Sequence, residues 1–471
     1  MNFTSAKFNY MLKIKYLTKK NWFWLLSLPV LLNFFFNLIN NFESVKNLNL
    51  KNLFSTILFF FTFYFLGLFI KEVFDLDTIS IGIVFYLLSF LIIDMSFLFI
   101  TQDISFKNNF LITNLTWFCI VLFKKKFRFH NFSYFFLSYL SLRIFNILNF
   151  NSFDLNQNLK GDTWYYFEFC KQILENSFYY SMNNNVFNGY TQFSAYFHSL
   201  FFEISFGNNE YIYIRSTTNV LFFLVLLFIN ELKIDRSIKF FLSSIYTVLV
   251  LNSDWLSFLF IDSIMSEGIM NYLFSVLLYN LLNNKTEKSA LIFFGFLIFS
   301  KQFFITLIYI NLFFLISKNF PKKYIIYGLI GTIYKEIAFN TYFSNLQRDH
   351  HIAQIDIVDT IFDLILLRDL NLENFLIINK NLFRDIPFTF FLFITLFTVL
   401  ANIFYKIKLD KNAKIILSNL VINYFLIQIL YVSVWRNMEL ESPIRFILNL
   451  FLLLFILLGI NISKINQKLK L

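Results

Sequence analysis

The sequence predicts an all-α polytopic membrane protein, and three observations lead to this fold class. Hydrophobic residues make up 58% of the 471 residues and charged residues only 15%, well below the roughly 25% charged residues of a soluble domain. Apolar runs, many of them close to the roughly 20 residues that cross a bilayer and several shorter, recur along the whole chain. Short clusters of lysine and arginine separate these runs.

The apolar runs predict about 14 transmembrane helices. Only 10 glycines and 4 prolines occur in the chain, so few of the runs are interrupted in the way that is typical of transporters. The predicted spans are 22–41, 52–70, 79–100, 109–123, 132–150, 217–232, 240–253, 263–282, 289–300, 304–317, 324–340, 387–405, 415–434 and 446–462.

The net charge of +11 is a signal of orientation and not of nucleic-acid binding. With the N-terminus inside, 25 of the 40 lysines and arginines fall in the leader, the inner loops and the tail. Basic residues accumulate on the cytoplasmic side of membrane proteins. We therefore expect an integral membrane protein with both termini in the cytoplasm. The N-terminal leader carries no cleavage site typical of a signal peptide.

Two long loops, 151–215 and 341–386, fall on the external, periplasmic side in this orientation. Loops of that length usually carry function. In the first loop, apolar residues at helical spacing predict two amphipathic helices lying in the membrane interface. In the second, the adjacent histidines His350 and His351 lack the spacing of a metal site, and we expect a solvated amphipathic helix that covers the first loop.

Asp162 is an acidic residue at the start of the first predicted amphipathic helix of the first loop. A carboxylate at the membrane boundary stays ionised, so it can accept a proton from an acceptor hydroxyl or hold a divalent cation. The alternative interpretation is a helix N-cap, because Asp is a preferred residue at that position. No pattern in the sequence decides whether a metal is bound.

Four motifs in order give the chain a resemblance to a known family. They are GDTWYYFEFCKQIL followed by YTQFSAYFHSLFFEISFG and YIYIRSTTNV, then DSIMSEGIMNYLF, then GFLIFSKQFFITL, then ESPIRFILNLF. This series resembles the first external loop and later spans of the GT-C superfamily, which are membrane glycosyltransferases that use polyprenyl-phosphate-linked sugars. The motifs lie within residues 155–462, and the resemblance implies a GT-C-like catalytic domain over 131–471. Residues 1–130 are then extra N-terminal transmembrane helices, because Asp162 follows the fifth span and not the first.

The resemblance implies inverting transfer of a sugar from a polyprenyl-phosphate donor to a lipid or glycan acceptor at the external face. Asp162 is implied as the general base. Substrate and phosphate contacts are implied for Tyr165, Arg215, Glu267, Lys301 and Arg445. Arginine and lysine suit a phosphate by bidentate contacts and by point charge respectively.

Each cation also has a simpler interpretation, since arginine and lysine at the end of a span commonly act as interfacial anchors. Glu267 lies four residues into a predicted span. Because charges inside a membrane are costly, this position favours a functional or pairing role for Glu267. Two other functions remain open. One is an envelope polysaccharide polymerase or ligase that depends on Arg348, Arg368 and Arg384, and the other is a flippase or transporter of lipid-linked glycans.

Overall fold

The computed structural model describes six stretches of the chain, which are 50–99, 105–123, 212–257, 266–283, 372–434 and 450–469, and a few isolated positions between them. Within these stretches the chain is helical and contains no strand. The all-α class predicted from the sequence is therefore confirmed for the described residues. The N-terminal 49 residues and most of both long loops lie outside them.

The described stretches contain helices α1 to α11. Their bounds are Leu50–Phe74 (α1), Ile79–Phe99 (α2), Phe106–Phe123 (α3), Ile212–Glu231 (α4), Arg236–Asn252 (α5), Asp254–Ser257 (α6), Ser266–Leu282 (α7), Leu372–Arg384 (α8), Ile386–Phe404 (α9), Lys411–Val434 (α10) and Phe451–Leu469 (α11). Nine of the predicted apolar segments coincide with a helix here, and the other five fall wholly or mostly outside the described residues.

Two of these helices, Ile386–Phe404 and Phe451–Lys468, are long and apolar enough to cross a membrane. Four further apolar helical segments of 10–17 residues are shorter than that, namely Ile79–Ser89, Leu111–Ile120, Val220–Glu231 and Gly268–Leu282. The predicted total of fourteen spans extends over residues that the structure does not describe.

Helices α1 and α2 pack closely because two glycines face each other. A Cβ placed on Gly82 would lie 2.1 Å from the carbonyl oxygen of Gly67, and one on Gly67 would lie 2.8 Å from the carbonyl oxygen of Ile79. Small residues let helix backbones approach in this way. The turn between the two helices passes through Asp75, whose φ of 53° is in the left-handed region.

A carboxylate from a distant helix completes the N-terminus of α2. Glu231, the last residue of α4, accepts hydrogen bonds from the backbone N–H groups of Ile79 (2.5 Å) and Ser80 (3.1 Å). The hydroxyl of Ser80 donates a third, at 2.5 Å. The first N–H groups of a helix have no partner within it, and an anion there also interacts favourably with the helix dipole. Glu231 thus joins α4 to α2.

Helix α9 has an inverted distribution of polar and apolar side chains. Its exposed residues are large and hydrophobic, with Phe390 65%, Phe397 70% and Phe404 82% exposed, whereas Thr395 and Asn402 are buried. Asn402 donates a hydrogen bond of 2.9 Å to the side chain of Asn461 on α11. The buried polar groups of this helix therefore face other helices, and four of its six phenylalanines face outward.

Candidate functional site

A hydrogen-bonded pair, Ser253 and Asp385, marks one end of the helix bundle. Asp385 is the N-cap of α9, where one carboxylate oxygen accepts from the backbone N–H of Phe388 at 3.0 Å. The hydroxyl of Ser253, directly after α5, donates to the other oxygen at 2.5 Å. The Ser253 oxygen also accepts from the backbone N–H of Leu256 at 3.1 Å. The pair thus connects the α5–α6 corner to the start of α9.

The backbone of Arg215 lies level with this pair. Helices α4 and α5 are antiparallel neighbours, and the rings of Phe222 and Tyr246 stack with centroids 5.2 Å apart. Arg215 is seven residues before Phe222, and Ser253 is seven residues after Tyr246. Because the two helices are antiparallel, both positions lie about 10 Å from the level of the stacked rings and toward the same end of the bundle, at 1.5 Å per residue. Arg215 lies in the first turn of α4.

Glu267 lies in the first turn of α7, at the same end of the bundle. Helices α4 and α7 finish side by side, because the ring of Phe228 packs edge-on against Tyr279 at 5.7 Å and Tyr272 at 6.4 Å. The hydroxyl of Tyr279 accepts the backbone N–H of Lys233 at 2.5 Å. Since both helices run in the same direction, their first turns share the opposite end. That end is the one with Ser253 and Asp385.

The start of α11 reaches the same end. The ring of Phe451 lies 6.2 Å from that of Phe388, which is three residues after Asp385, and 6.0 Å from that of Phe260. The chain enters α11 through the buried residues Ile447 and Leu450. Arg445 precedes Ile447 by two residues and is outside the described part of the chain.

Helix α8, from the second long loop, is held against this end by a partly buried amide contact. The side chain of Asn379 donates to the side-chain oxygen of Gln428 on α10 at 2.8 Å. The hydroxyl of Tyr424 also hydrogen-bonds to Asn379. Helix α8 leads directly into Asp385, so the second loop is attached to the bundle beside the Ser253–Asp385 pair.

The described carboxylate at this end of the bundle, Asp385, has a structural role. Both oxygens of Asp385 are engaged, one by Phe388 and one by Ser253, so this carboxylate stabilises the structure. The backbone positions of Arg215 and Glu267, each in the first turn of its helix, lie at the same end of the bundle. A guanidinium group is well suited to binding a phosphate.

The predicted site residues divide into two groups. Arg215 and Glu267 lie on described backbone and share an end of the bundle, although their side chains are not described. Asp162, Tyr165, Lys301 and Arg445 fall outside the described residues, so their predicted roles stay predictions. Within the described residues, no three His, Cys, Asp or Glu side chains form a group that could hold a metal ion.

Sequence reasoning missed the Ser253–Asp385 pair. Half of it had a local signal, since Asp385 is followed by Ile386 and Pro387, and an Asp before a proline in the first turn is typical of a helix N-terminus. Ser253 had no such signal. Its partner is 132 residues away, and no spacing rule connects them.

Comparison of the chain with protein-family models, characterised proteins and solved structures found no match.

Proposed function

We propose that the chain is a membrane glycosyltransferase of the GT-C type, which transfers a sugar from a polyprenyl-phosphate donor to an acceptor at the external face of a bacterial inner membrane. The observation that carries the proposal is the ordered series of motifs from Asp162 to Arg215 and onward to Arg445. It is supported by the gathering of the Arg215 and Glu267 helix ends at one end of the bundle.

The membrane part of the proposal is supported by α9. In water, exposed phenylalanines and buried threonine and asparagine are unfavourable, whereas a bilayer favours this distribution, since polar groups there must face other protein groups. The helix is 19 residues long, close to the roughly 20 residues that a bilayer requires. Its apolar face is then the lipid-facing surface.

The proposed reaction needs one general base and cationic side chains that bind the phosphate. The acceptor oxygen forms a bond to the anomeric carbon of the sugar while the bond from that carbon to the phosphate oxygen breaks. The acceptor proton passes to Asp162, and the electron pair leaves with the polyprenyl phosphate. Arg215, Lys301 and Arg445 stabilise the charge that develops on the phosphate, which is where preorganised charges contribute most to the rate.

Asp162→Asn tests the proposal directly. In vesicles supplied with a polyprenyl-phosphate sugar and membrane acceptor, we expect this variant to lose activity by about 100-fold or more, because general-base catalysis contributes roughly 10² to 10⁴. The amount of protein in the membrane should not change. Full activity in Asp162→Asn would refute the role of this residue and the proposal with it.

Two further variants separate the competing functions. Asp235→Asn removes a carboxylate at the other end of the bundle and serves as the matched control, which should retain activity. Arg384→Ala removes an exposed arginine from the second loop. A loss confined to Arg384→Ala, with Asp162→Asn unaffected, would favour the polysaccharide polymerase or ligase. Movement of the lipid-linked sugar across vesicles without any covalent product would favour the flippase.

A further inference from the structure

A cavity of about 220 Å³ lies at the end of the bundle opposite Ser253 and Asp385. Four segments that are distant in sequence meet around it, namely 232–234 after α4, 279–283 at the end of α7, 410–412 at the start of α10, and 456–467 in α11. It is far larger than the roughly 10–15 Å³ that one water requires. These segments include or adjoin four of the basic clusters that the sequence predicts on the cytoplasmic side.

The wall of the cavity carries an excess of positive charge. Lys233 and Lys464 line it, and Asp410 is the one acidic residue among the lining residues. Another lysine of this end, Lys239, is already engaged, because its ammonium donates to the carbonyl oxygen of Asn230 at 2.7 Å. Ser463 and Gln467 add a hydroxyl and an amide to the wall. This set of donors suits a phosphate group.

The remaining wall is apolar, and this favours a lipid over a soluble phosphate. Leu232, Ile234, Ile456 and Ile460 line the cavity beside the polar groups. A phospholipid presents this combination, with a phosphate next to a glycerol and the first carbons of its chains. Basic pockets between helices on the cytoplasmic side are typical sites for anionic headgroups.

The cavity is also held in shape by neighbouring contacts. The hydroxyl of Tyr279, itself a lining residue, fixes the backbone of Lys233 at 2.5 Å. The side-chain amide of Asn283 donates to the carbonyl oxygen of Tyr279 at 2.8 Å. Lys233 and the end of α7 are therefore positioned relative to each other before any ligand binds.

We propose that this cavity binds the phosphate-bearing headgroup of an anionic phospholipid from the inner leaflet, with Lys233 and Lys464 as the phosphate contacts. The site is separate from the proposed transferase site at the other end of the bundle. Its occupation does not depend on the sugar-transfer reaction.

The experiment measures binding of labelled phosphatidylglycerol to the full-length chain in phosphatidylcholine nanodiscs. We expect the double variant Lys233→Gln/Lys464→Gln to bind the lipid about tenfold more weakly or worse, because each lysine near an anionic lipid contributes to the binding affinity by electrostatic attraction. The matched control, Lys408→Gln/Lys468→Gln, removes the same charge from exposed positions that do not line the cavity and should bind within about twofold of the wild type.

Two more measurements decide between the remaining outcomes. Lys233→Arg/Lys464→Arg keeps the charge and should restore binding, which separates a lost contact from a misfolded protein. Inorganic phosphate at millimolar concentration should not displace the lipid. Displacement by phosphate would overturn the lipid assignment and identify a soluble anion as the ligand. Equal loss in the cavity and control variants would overturn the site itself.

Discussion

The two ends of the bundle each contain a carboxylate that completes the start of a helix, but the two carboxylates do so in different ways. Asp385 caps the helix that directly follows it, and Ser253 then joins from a distance. Glu231 caps a helix that begins 152 residues earlier in the chain, and all three of its donors belong to that helix. The first is a local cap with an added tertiary contact, whereas the second is tertiary throughout.

The largest effect is expected for Glu231→Ala. This change removes the acceptor of three hydrogen bonds and leaves the N–H groups of Ile79 and Ser80 without it in a partly buried place. We expect a loss of about 3 kcal/mol in the free energy of unfolding. Denaturant titration of the purified protein in detergent measures it. For Asp385→Ala we expect a loss of about 1–2 kcal/mol. A smaller loss for Glu231→Ala than for Asp385→Ala would show that the long-range cap contributes less to stability than the local one.

The packing beside Glu231 gives the second prediction. Gly82→Ala would place a Cβ 2.1 Å from the Gly67 carbonyl oxygen, so α1 and α2 must separate, at a cost of about 2 kcal/mol in stability. The control is Gly459→Ala in α11, where the nearest atoms are the flexible Cδ1 ends of Ile234 and Leu242, each at 3.0 Å. We expect that variant to change stability by less than about 1 kcal/mol. Equal effects in the same titration would show that the glycine contact does not hold α1 against α2.

The smallest of these effects is expected for Ser253→Ala. It removes the hydroxyl that donates to Asp385 and accepts from Leu256, but the local cap of α9 by Asp385 remains. We expect a loss of about 1 kcal/mol, measured as above. The double variant Ser253→Ala/Asp385→Ala should lose less than the sum of the two single variants, since the residues share one hydrogen bond. Full additivity would mean that this bond contributes nothing.

The sequence predicted where the helices lie better than where they begin and end. For α9 the predicted segment 387–405 and the helix Ile386–Phe404 agree within one residue, because Asp385 and Pro387 mark its start. For α4 the apolar run begins at 217, yet the helix begins at Ile212. Its hydrogen bonds continue through polar residues such as Arg215, since they are local to the helix and do not require an apolar side chain.

Two helices of the C-terminal region also extend beyond their predicted apolar segments, because helical hydrogen bonds continue through polar residues. Helix α10 begins at Lys411, inside the stretch predicted as an inner loop, and α11 continues to Leu469, inside the predicted tail. Lysine, asparagine and glutamine end an apolar run without ending a helix. Hydropathy therefore locates the apolar part of each helix and misses its polar turns.

The candidate site was predictable only in part, because its residues are far apart in the sequence. Arg215 and Glu267 were predicted from motifs that resemble those of the GT-C family, in which each stands near the start of an apolar run, and the fold brings both runs to one end of the bundle. The level of Arg215 relative to Ser253 depends on the stacking of Phe222 on Tyr246. No periodicity in the sequence encodes that register, because it results from side-chain packing between helices.

The long-range cap by Glu231 also sets an order of events during synthesis. The N–H groups of Ile79 and Ser80 leave the ribosome long before the carboxylate that satisfies them, which is separated from them by 152 and 151 residues. At roughly 5 to 20 residues per second, that interval is about 8 to 30 seconds. During this time the start of α2 must rely on water or on another group. The α1–α2 pair therefore reaches its final state only when α4 has been made and has docked.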